Sequence, residues 1–216
     1  MKVLVACEES QAVCMAFRER GHEAYSCDIM ECSGGHPEWH IQGDVLPLLN
    51  GDCSFVSKDG TPHQIRGKWD LIIAHPPCTY FSTAGANWLF RGGELDEERY
   101  KKGLEMKQLF MEIYNAECDR ICIENVRAMK IWELPIHTQE IQPWQFGHPV
   151  TKATRLWLKN LPPLFPTDIV PPEAKWVSCG NYKNRTAQNQ AVCKSYTNKR
   201  AKTFDGVAKA MAEQWG

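Results

Sequence analysis

The residue of this chain whose setting best suits chemistry is Cys78, which directly follows Pro76 and Pro77. A cysteine thiolate is a strong nucleophile and can form a covalent bond with a substrate. A free cysteine is nevertheless more often a small, inert side chain buried in the core. The local structure around Cys78 therefore decides between these two roles.

The residues before Cys78 predict a buried strand that ends in a rigid loop. Leu71 to Ala74 form a short apolar run, with polar residues before it and prolines soon after it. Proline fixes φ and has no N–H, so the strand cannot continue through Pro76 and Pro77. Cys78 is thereby held at the carboxyl end of the strand, which is the edge of an open α/β sheet where ligands bind.

A second apolar run, Ile121 to Ile123, leads into Glu124-Asn125-Val126. In this order, the loop from Pro76 to Ser82 and this tripeptide resemble the Pro-Cys-Gln-x-Phe-Ser and Glu-Asn-Val motifs of cytosine-5 DNA methyltransferases. The resemblance implies an α/β, Rossmann-like methyltransferase fold with a mostly parallel central sheet flanked by helices. It also implies that S-adenosyl-L-methionine is the cofactor and that a methyl group is transferred to carbon 5 of cytosine in DNA.

The chemistry of that reaction explains the residue types. Cytosine is a poor nucleophile at carbon 5, and covalent attack by a thiolate at carbon 6 makes carbon 5 able to accept a methyl group. By the resemblance, Cys78 is this nucleophile, and Glu124 hydrogen-bonds the ring nitrogen and the exocyclic amine of the pyrimidine. Asn125 is expected to hold the loop in place rather than to react.

Two cations lie where the family has a Gln-x-Arg-x-Arg segment, within the stretch 151–158 that is predicted to end in a strand. The resemblance implies that Arg155 is a third catalytic residue, which hydrogen-bonds the pyrimidine carbonyl, and that Lys152 contacts a phosphate. An exposed strand that carries two cations explains the same residues equally well.

The amino-terminal part of the chain predicts the start of a nucleotide-binding α/β unit. A strand is expected at Val3 to Ala6, a helix at Gln11 to Arg20, and a second strand at Ala24 to Cys27. Asp28 follows the second strand, where an acid accepts hydrogen bonds from ribose hydroxyls. An aspartate that begins a turn is the alternative.

The family's Phe-x-Gly-x-Gly loop is replaced here by Ala6-Cys7-Glu8-Glu9-Ser10-Gln11, which contains no glycine. Glu8 or Glu9 would face the amino group of the cofactor, or would lie at a helix N-terminus, where acids are favourable. Asp44 follows a third short strand, 40–42, and corresponds to an acid that contacts the adenine amine. The cofactor-binding residues implied by the resemblance are Glu8, Ser10, Asp28, Asp44, Pro76 and Thr203.

The segment on either side of the Leu71 to Ala74 strand is less specific. Asp59-Gly60 is a turn signal and predicts a small hairpin within 50–68. Beyond Cys78, the segment 81–93 contains Trp88, Phe90 and Arg91. It is either a lid that closes over the substrate or a connection whose aromatic side chains pack on the core.

The carboxyl-terminal half predicts two helices and a long irregular region. Apolar residues at helical spacing indicate a long crossover helix within 94–117. An edge strand around a proline is expected at 138–146, and an irregular linker at 162–172. The basic segment 182–200 suits phosphate contacts with aromatic stacking, or a loop. A terminal helix at 203–212 resembles the family's last helix, which packs beside the first strand.

Composition limits the class of protein. With 216 residues, 43% of them hydrophobic and 24% charged, the chain is predicted to form one domain over 1–216, with a reduced variable segment at about 160–202. A net charge of -1 and a pI near 6.7 give no general basic character, so any nucleic-acid contact depends on a local patch. The chain starts without a signal peptide or membrane span, so we expect a cytoplasmic protein of a bacterial or phage-infected cell, with reduced cysteines.

The sequence is compatible with more than one substrate. Only a short interval separates Arg155 from the terminal helix, which leaves little structure to read the sequence of a duplex. The partner is therefore duplex DNA, single-stranded DNA or a cytosine nucleotide, and the small size suggests a phage or prophage member of the family. A noncatalytic nucleic-acid-binding protein is the alternative from another class. Cys32, His36 and His40 are regularly spaced, but glycines and a proline interrupt them, so we expect a loop and no metal site.

Overall fold

A seven-stranded sheet forms the centre of the protein. The computed structural model describes residues 1–172, 174–175 and 202–216. The strands of the sheet are β1 (Lys2–Ala6), β2 (Glu23–Asp28), β3 (His40–Gln42), β4 (Leu71–Ala74), β5 (Ile121–Asn125), β6 (Gln139–Ile141) and β7 (Thr154–Lys159).

The strand order is β6-β7-β5-β4-β1-β2-β3. From β5 to β3 all neighbouring strands are parallel, whereas β7 is antiparallel to both β5 and β6. Because β1 lies between β2 and β4, the order of strands reverses at this point, and the carboxyl ends of β1 and β4 border the crevice where such sheets bind ligands. The candidate residues that follow these strands are therefore brought to one edge.

Helices cover both faces of the sheet. They are α1 (Ala12–Glu19), α2 (Ala86–Leu89), α3 (Glu97–Tyr114) and α4 (Asp205–Trp215). Phe110 and Ile113 of α3 pack on one face, in the same core cluster as Ile72. On the other face, α1 and α4 pack on Val3 and Val5 of β1. Burial on both faces explains why Leu71 to Ala74 are apolar at every position and fully buried.

Smaller elements connect these layers. Cys53–Val56 pairs with Pro62–Ile65, Phe90–Arg91 pairs with Glu94–Leu95, and Val150–Thr151 pairs with Ala174–Lys175. Single 3-10 turns lie at Pro37–Trp39, Leu46–Leu48, Thr83–Gly85, Lys130–Trp132 and Pro143–Gln145. None of the helices in the described part of the chain is both long enough and apolar enough to cross a membrane.

The predicted α/β fold, with a mostly parallel sheet between helices, is confirmed. Two local predictions need correction. The segment 81–93 contains a 3-10 turn, α2 and a strand of a small hairpin rather than only a loop. The edge strand predicted at 138–146 ends at Ile141, because Pro143 cannot donate to a neighbouring strand and begins a 3-10 turn instead. The basic segment 182–200 lies outside the described residues.

Candidate active site

The Cys78 loop is tied to the neighbouring strand β5. Nδ2 of the buried Asn125 donates a hydrogen bond of 2.9 Å to the carbonyl of Pro76, and Oδ1 accepts from the N–H of Val126 at 2.8 Å. Both polar groups of the amide are thus used to fix the backbone. The prediction that Asn125 holds this loop is confirmed. Cys78 itself is exposed, and its carbonyl accepts the N–H groups of Phe81 and Ser82, which closes a turn.

Buried aromatic side chains pack against one another beneath the surface turn that carries Cys78. Phe81 is fully buried, and its ring meets the edge of Trp132 with 6.0 Å between ring centroids. Trp132 is also fully buried and stacks on Tyr100 of α3 at 5.5 Å. This stack depends on Gly103, because a Cβ at that position would overlap the indole ring. The turn that carries Cys78 therefore rests on a close-packed base and not on solvent.

Glu124 and His75 form an ion pair at the ends of β5 and β4. The register that pairs Ala74 with Ile123 makes the next residues on the two strands neighbours. Nδ1 of His75 lies 3.0 Å from Oε2 of Glu124, and the two side chains are only 12% and 13% exposed. The hydroxyl of Thr203 donates to the same oxygen at 3.3 Å.

A lysine completes this charged cluster. Nζ of Lys152 lies 4.0 Å from Oε1 of Glu124. Burial alone would raise the pKa of Glu124, but the hydrogen bond and charge of His75, the charge of Lys152 and the hydroxyl of Thr203 outweigh it and bring the pKa to about 2. Glu124 is therefore a carboxylate at neutral pH, which accepts hydrogen bonds and does not donate them.

Arg155 lies on the opposite face of the sheet from Glu124. In the antiparallel pair of β7 and β5, Arg155 is opposite Asn125, and Leu156 is opposite Glu124. Residues directly opposite each other share a face, and successive residues alternate between faces. Arg155 instead forms an ion pair with Glu140 and a 3.0 Å hydrogen bond to Nε2 of His137. The structure thus brings Lys152, and not Arg155, to Glu124.

The acids predicted to bind the cofactor gather at the carboxyl ends of β2 and β3. Asp28 accepts the N–H of Met30 with Oδ1 at 2.9 Å, and Asp44 accepts the N–H of Leu46 with Oδ1 at 3.0 Å. Burial, followed by the charges of these two acids, raises the pKa of the Cys7 thiol to about 12. Asp28 and Asp44 therefore act on the same small region, next to the end of β1.

The loop after β1 contains no glycine, but two of its residues adopt the left-handed backbone conformation that glycine usually provides. Cys7 and Gln11 both have left-handed backbone angles, with φ of 58° and 59°. L-residues other than asparagine and aspartate rarely adopt this conformation, which glycine adopts without cost. The buried side chain of Gln11 donates to the carbonyl of His36 and accepts its N–H, at 2.8 and 3.1 Å, so the next loop locks this turn in place. Gly34 permits this approach, because a Cβ there would lie 2.6 Å from that of Gln11.

The acidic residues of this loop have partners within the protein. The buried carboxylate of Glu8 accepts the N–H groups of Val13 and Cys14, at 2.7 and 3.2 Å, and so caps the N-terminus of α1. The sequence allows Glu8 to face the amino group of the cofactor or to lie at a helix N-terminus, and the structure has it at the helix N-terminus. Glu9 accepts a hydrogen bond from the hydroxyl of Ser33. Ser10 is buried, and its hydroxyl accepts the N–H of Ala12 at 3.4 Å.

The histidines near Cys32 have protein partners. Nδ1 of His40 lies 2.9 Å from the hydroxyl of Ser26, and its Nε2 lies 2.9 Å from the carbonyl of Met30. His36 stacks on Trp39, with 4.0 Å between ring centroids. Within residues 1–172 and 202–216, no three side chains of types that bind metals converge on one point.

The site thus contains His75 besides the residues implied by the sequence motifs. The available signal was its position, since His75 ends the apolar run of β4 and immediately precedes Pro76. Its pairing with Glu124 depends on β4 and β5 being neighbours in parallel register, which the sequence does not state.

Several solved structures are similar to this protein in part of their length. They include a candidate DNA modification methyltransferase encoded within an E. coli prophage (TM-score 0.45), the Entamoeba histolytica methyltransferase EhMeth (TM-score 0.44), and a variant of DNMT2 from Spodoptera frugiperda (TM-score 0.38). Each is 16% identical in sequence; the matches cover 79%, 81% and 79% of this chain, and 52%, 57% and 54% of the respective structures.

The chain therefore spans about half the length of these proteins. No protein-family model matches it, and no curated protein matches its sequence. Because the identity to the solved structures is low, the function has to be inferred from the residues of the site.

Proposed function

We propose that this protein transfers a methyl group from S-adenosyl-L-methionine to carbon 5 of cytosine in DNA, through a covalent bond between Cys78 and carbon 6. The observation that carries the proposal is the hydrogen bond from Asn125 to the carbonyl of Pro76. It joins the strand that carries Glu124 to the loop that presents Cys78. This buried contact fixes the loop of the nucleophile relative to the strand of the carboxylate. The proposed chemistry requires both groups in a fixed arrangement.

The reaction consists of an addition, a methyl transfer and an elimination. The thiolate of Cys78 adds to carbon 6, and the electron pair of the double bond between carbons 5 and 6 moves into the ring, so carbon 5 becomes nucleophilic. S-adenosyl-L-methionine would supply an electrophilic methyl group; the sulfur–methyl bond breaks, its electron pair stays on sulfur, and S-adenosyl-L-homocysteine leaves. After carbon 5 carries the methyl group, a base removes the hydrogen from carbon 5, the bond between Cys78 and carbon 6 breaks, and the double bond is restored.

Glu124 and Lys152 bind the pyrimidine in this proposal. The Glu124 carboxylate accepts a hydrogen bond from the exocyclic amine of cytosine. This contact distinguishes cytosine from a pyrimidine that has a carbonyl at the same position. Lys152 takes the role that the sequence motif suggests for Arg155, because it is the lysine side chain beside Glu124. It contacts the pyrimidine carbonyl or the adjacent phosphate.

The residues at the ends of β1, β2 and β3 fit the proposed cofactor. Asp28 and Asp44 supply acceptors for ribose hydroxyls and an adenine amine, and they surround Cys7 with negative charge. S-adenosyl-L-methionine has no phosphate and carries a positive sulfonium, so an acidic edge suits it better than it suits a phosphorylated nucleotide. The left-handed turn at Cys7 changes the direction of the backbone at this edge without a glycine.

The test is methyl transfer from labelled S-adenosyl-L-methionine, followed by mass spectrometry of the nucleosides. Unmethylated duplex DNA, the same DNA as a single strand, and free deoxycytidine monophosphate are offered separately. We expect 5-methylcytosine from at least one of the two DNA substrates, no product with Cys78→Ser, and unchanged product with the matched control Cys53→Ser, which lies in the hairpin Cys53–Ile65.

Three results would change the proposal. Product from the free nucleotide alone would replace DNA by a nucleotide as substrate. A methyl group on the exocyclic amine would overturn the covalent scheme. The absence of any transfer, together with binding of DNA, would favour a protein that only binds nucleic acid.

A further inference from the structure

His75 contacts the proposed base-binding carboxylate but has no role in the scheme above. Its side chain is 12% exposed, and Nδ1 lies 3.0 Å from Oε2 of Glu124. Its other ring nitrogen, Nε2, is buried and has no hydrogen-bond partner among the described residues. A buried histidine that bonds through only one nitrogen is costly, so a structural role alone explains it poorly.

The charged and polar groups around His75 come from four different elements. They are Glu124 at the end of β5, Glu8 in the loop after β1, Lys152 before β7, and the hydroxyl of Thr203 before α4, 3.4 Å from Nδ1. Burial and Lys152 lower the pKa of His75, but the hydrogen bond and charge of Glu124 and the charge of Glu8 outweigh them and raise it above its ordinary value. The imidazole is therefore able to carry a proton near neutral pH.

The chemistry of cytosine needs such a proton. The ring nitrogen beside the exocyclic amine has a lone pair and no hydrogen, and a carboxylate cannot donate a hydrogen bond to it. Thiolate addition at carbon 6 pushes negative charge toward that nitrogen, so a proton delivered there lowers the barrier to the addition. Glu124 alone does not hold this proton, because its pKa is about 2.

We propose that His75 is a positioning residue that orients Glu124 and delivers a proton through it to the ring nitrogen of cytosine. This inference rests on the proposed function. One proton passes from Nδ1 of His75 to Oε2 of Glu124, and the carboxyl group formed in this way passes that proton to the ring nitrogen. Glu124 is again a carboxylate, His75 is neutral, and the proton returns by the reverse path when the bond to Cys78 breaks.

The test compares the pH dependence of kcat for the wild type and His75→Asn on the preferred DNA substrate. The asparagine amide keeps a donor near the position of Nδ1 but cannot release a proton. We expect kcat to fall on the order of 100-fold, while KM for DNA and the Kd of S-adenosyl-L-methionine stay unchanged. The wild type should lose activity at alkaline pH as His75 deprotonates, and this limb should be absent from the variant.

The controls separate this inference from the proposed function. His22→Asn, at the opposite end of the sheet, should leave the alkaline limb unchanged. In the wild type, the alkaline kinetic pKa must equal the pKa of the His75 imidazole measured by NMR; this comparison needs no variant and covers the case in which His75→Asn does not fold. No 5-methylcytosine from the wild type at any pH overturns the proposed function and this inference together. Wild-type activity with an alkaline limb that persists in His75→Asn, or with unequal pKa values, overturns the inference alone.

Discussion

Replacement of Gly103 by alanine is expected to destabilise the protein, although alanine is the better helix former. In the interior of a helix, alanine is favoured over glycine by about 1 kcal/mol. At Gly103, however, the new Cβ would overlap Cη2 of Trp132 and lie 2.5 and 2.8 Å from Cζ3 and Cζ2. The steric term therefore opposes the gain in helix propensity.

The steric term is the larger of the two because the indole has no room to move. Trp132 is fully buried, stacked on Tyr100 and in edge contact with Phe81. Overpacking of a close-packed core costs about 1 to 3 kcal/mol. Since the collision involves a rigid ring held on two sides, a cost at the upper end is expected, and the net loss of unfolding free energy should be about 1 to 2 kcal/mol.

Urea denaturation followed by circular dichroism measures this difference. Glu105→Ala, at an exposed position of the same helix, is the matched control and should change stability by less than about 0.5 kcal/mol. The cost of Gly103→Ala should shrink in a Trp132→Phe background, as a double-mutant cycle would show. A Gly103→Ala variant as stable as the wild type would refute the reasoning, since the ring would then have space that the structure does not show.

Three further changes test the site and its surroundings. Asn125→Asp replaces the donor to the Pro76 carbonyl by an acceptor, so we expect a loss of about 1 to 3 kcal/mol in urea denaturation and slower methyl transfer; unchanged stability would contradict the tie between loop and strand. The pKa of Glu124 is lowered from 4.5 to about 2, so its carboxylate stabilises the fold above pH 4.5, and this stabilisation is lost as the pH falls toward 2. The difference in unfolding free energy between the wild type and Glu124→Gln should therefore be largest at neutral pH and shrink in acid. A difference that widens in acid would be evidence against the ion pair. Glu133 has a φ of 46°, and its side chain is exposed and forms an ion pair with Lys107. Glu133→Gly should therefore raise the unfolding free energy by up to about 1 kcal/mol, measured as a higher Tm; a lower Tm would argue against a strained backbone there.

The sequence was sufficient to predict the elements that carry the site. Apolar runs such as Leu71 to Ala74 are unambiguous because parallel strands are buried on both faces. The regular spacing of apolar residues from Met106 to Tyr114 predicts α3 for the same physical reason, since one helical face must be buried. The role of Asn125 was also predicted, from its place in the Glu124-Asn125-Val126 motif.

The face of the sheet on which a side chain lies was less predictable from the sequence. Arg155 and Lys152 look equivalent in sequence, and it is the register of β7 against β5 that turns Arg155 away from Glu124. A shift of one residue would exchange the two faces of β7, and nothing local in the sequence specifies that register. The pairing of His75 with Glu124 likewise follows from the order of strands in the sheet, which is a property of the whole chain.

The antiparallel direction of β7 also determines where the protein tolerates added residues. The parallel strands end at the edge that carries Cys78, but β7 begins there, so the connection between Ile141 and Thr154 lies at this edge. Residues inserted in this connection would enlarge the surface that meets the substrate in the proposed function. Residues inserted just after Lys159 would emerge at the opposite edge of the sheet, far from Cys78. If the proposed function holds, the first position is the place to graft a module that gives the protein a sequence preference, and the second is the place for a tag that leaves methyl transfer intact.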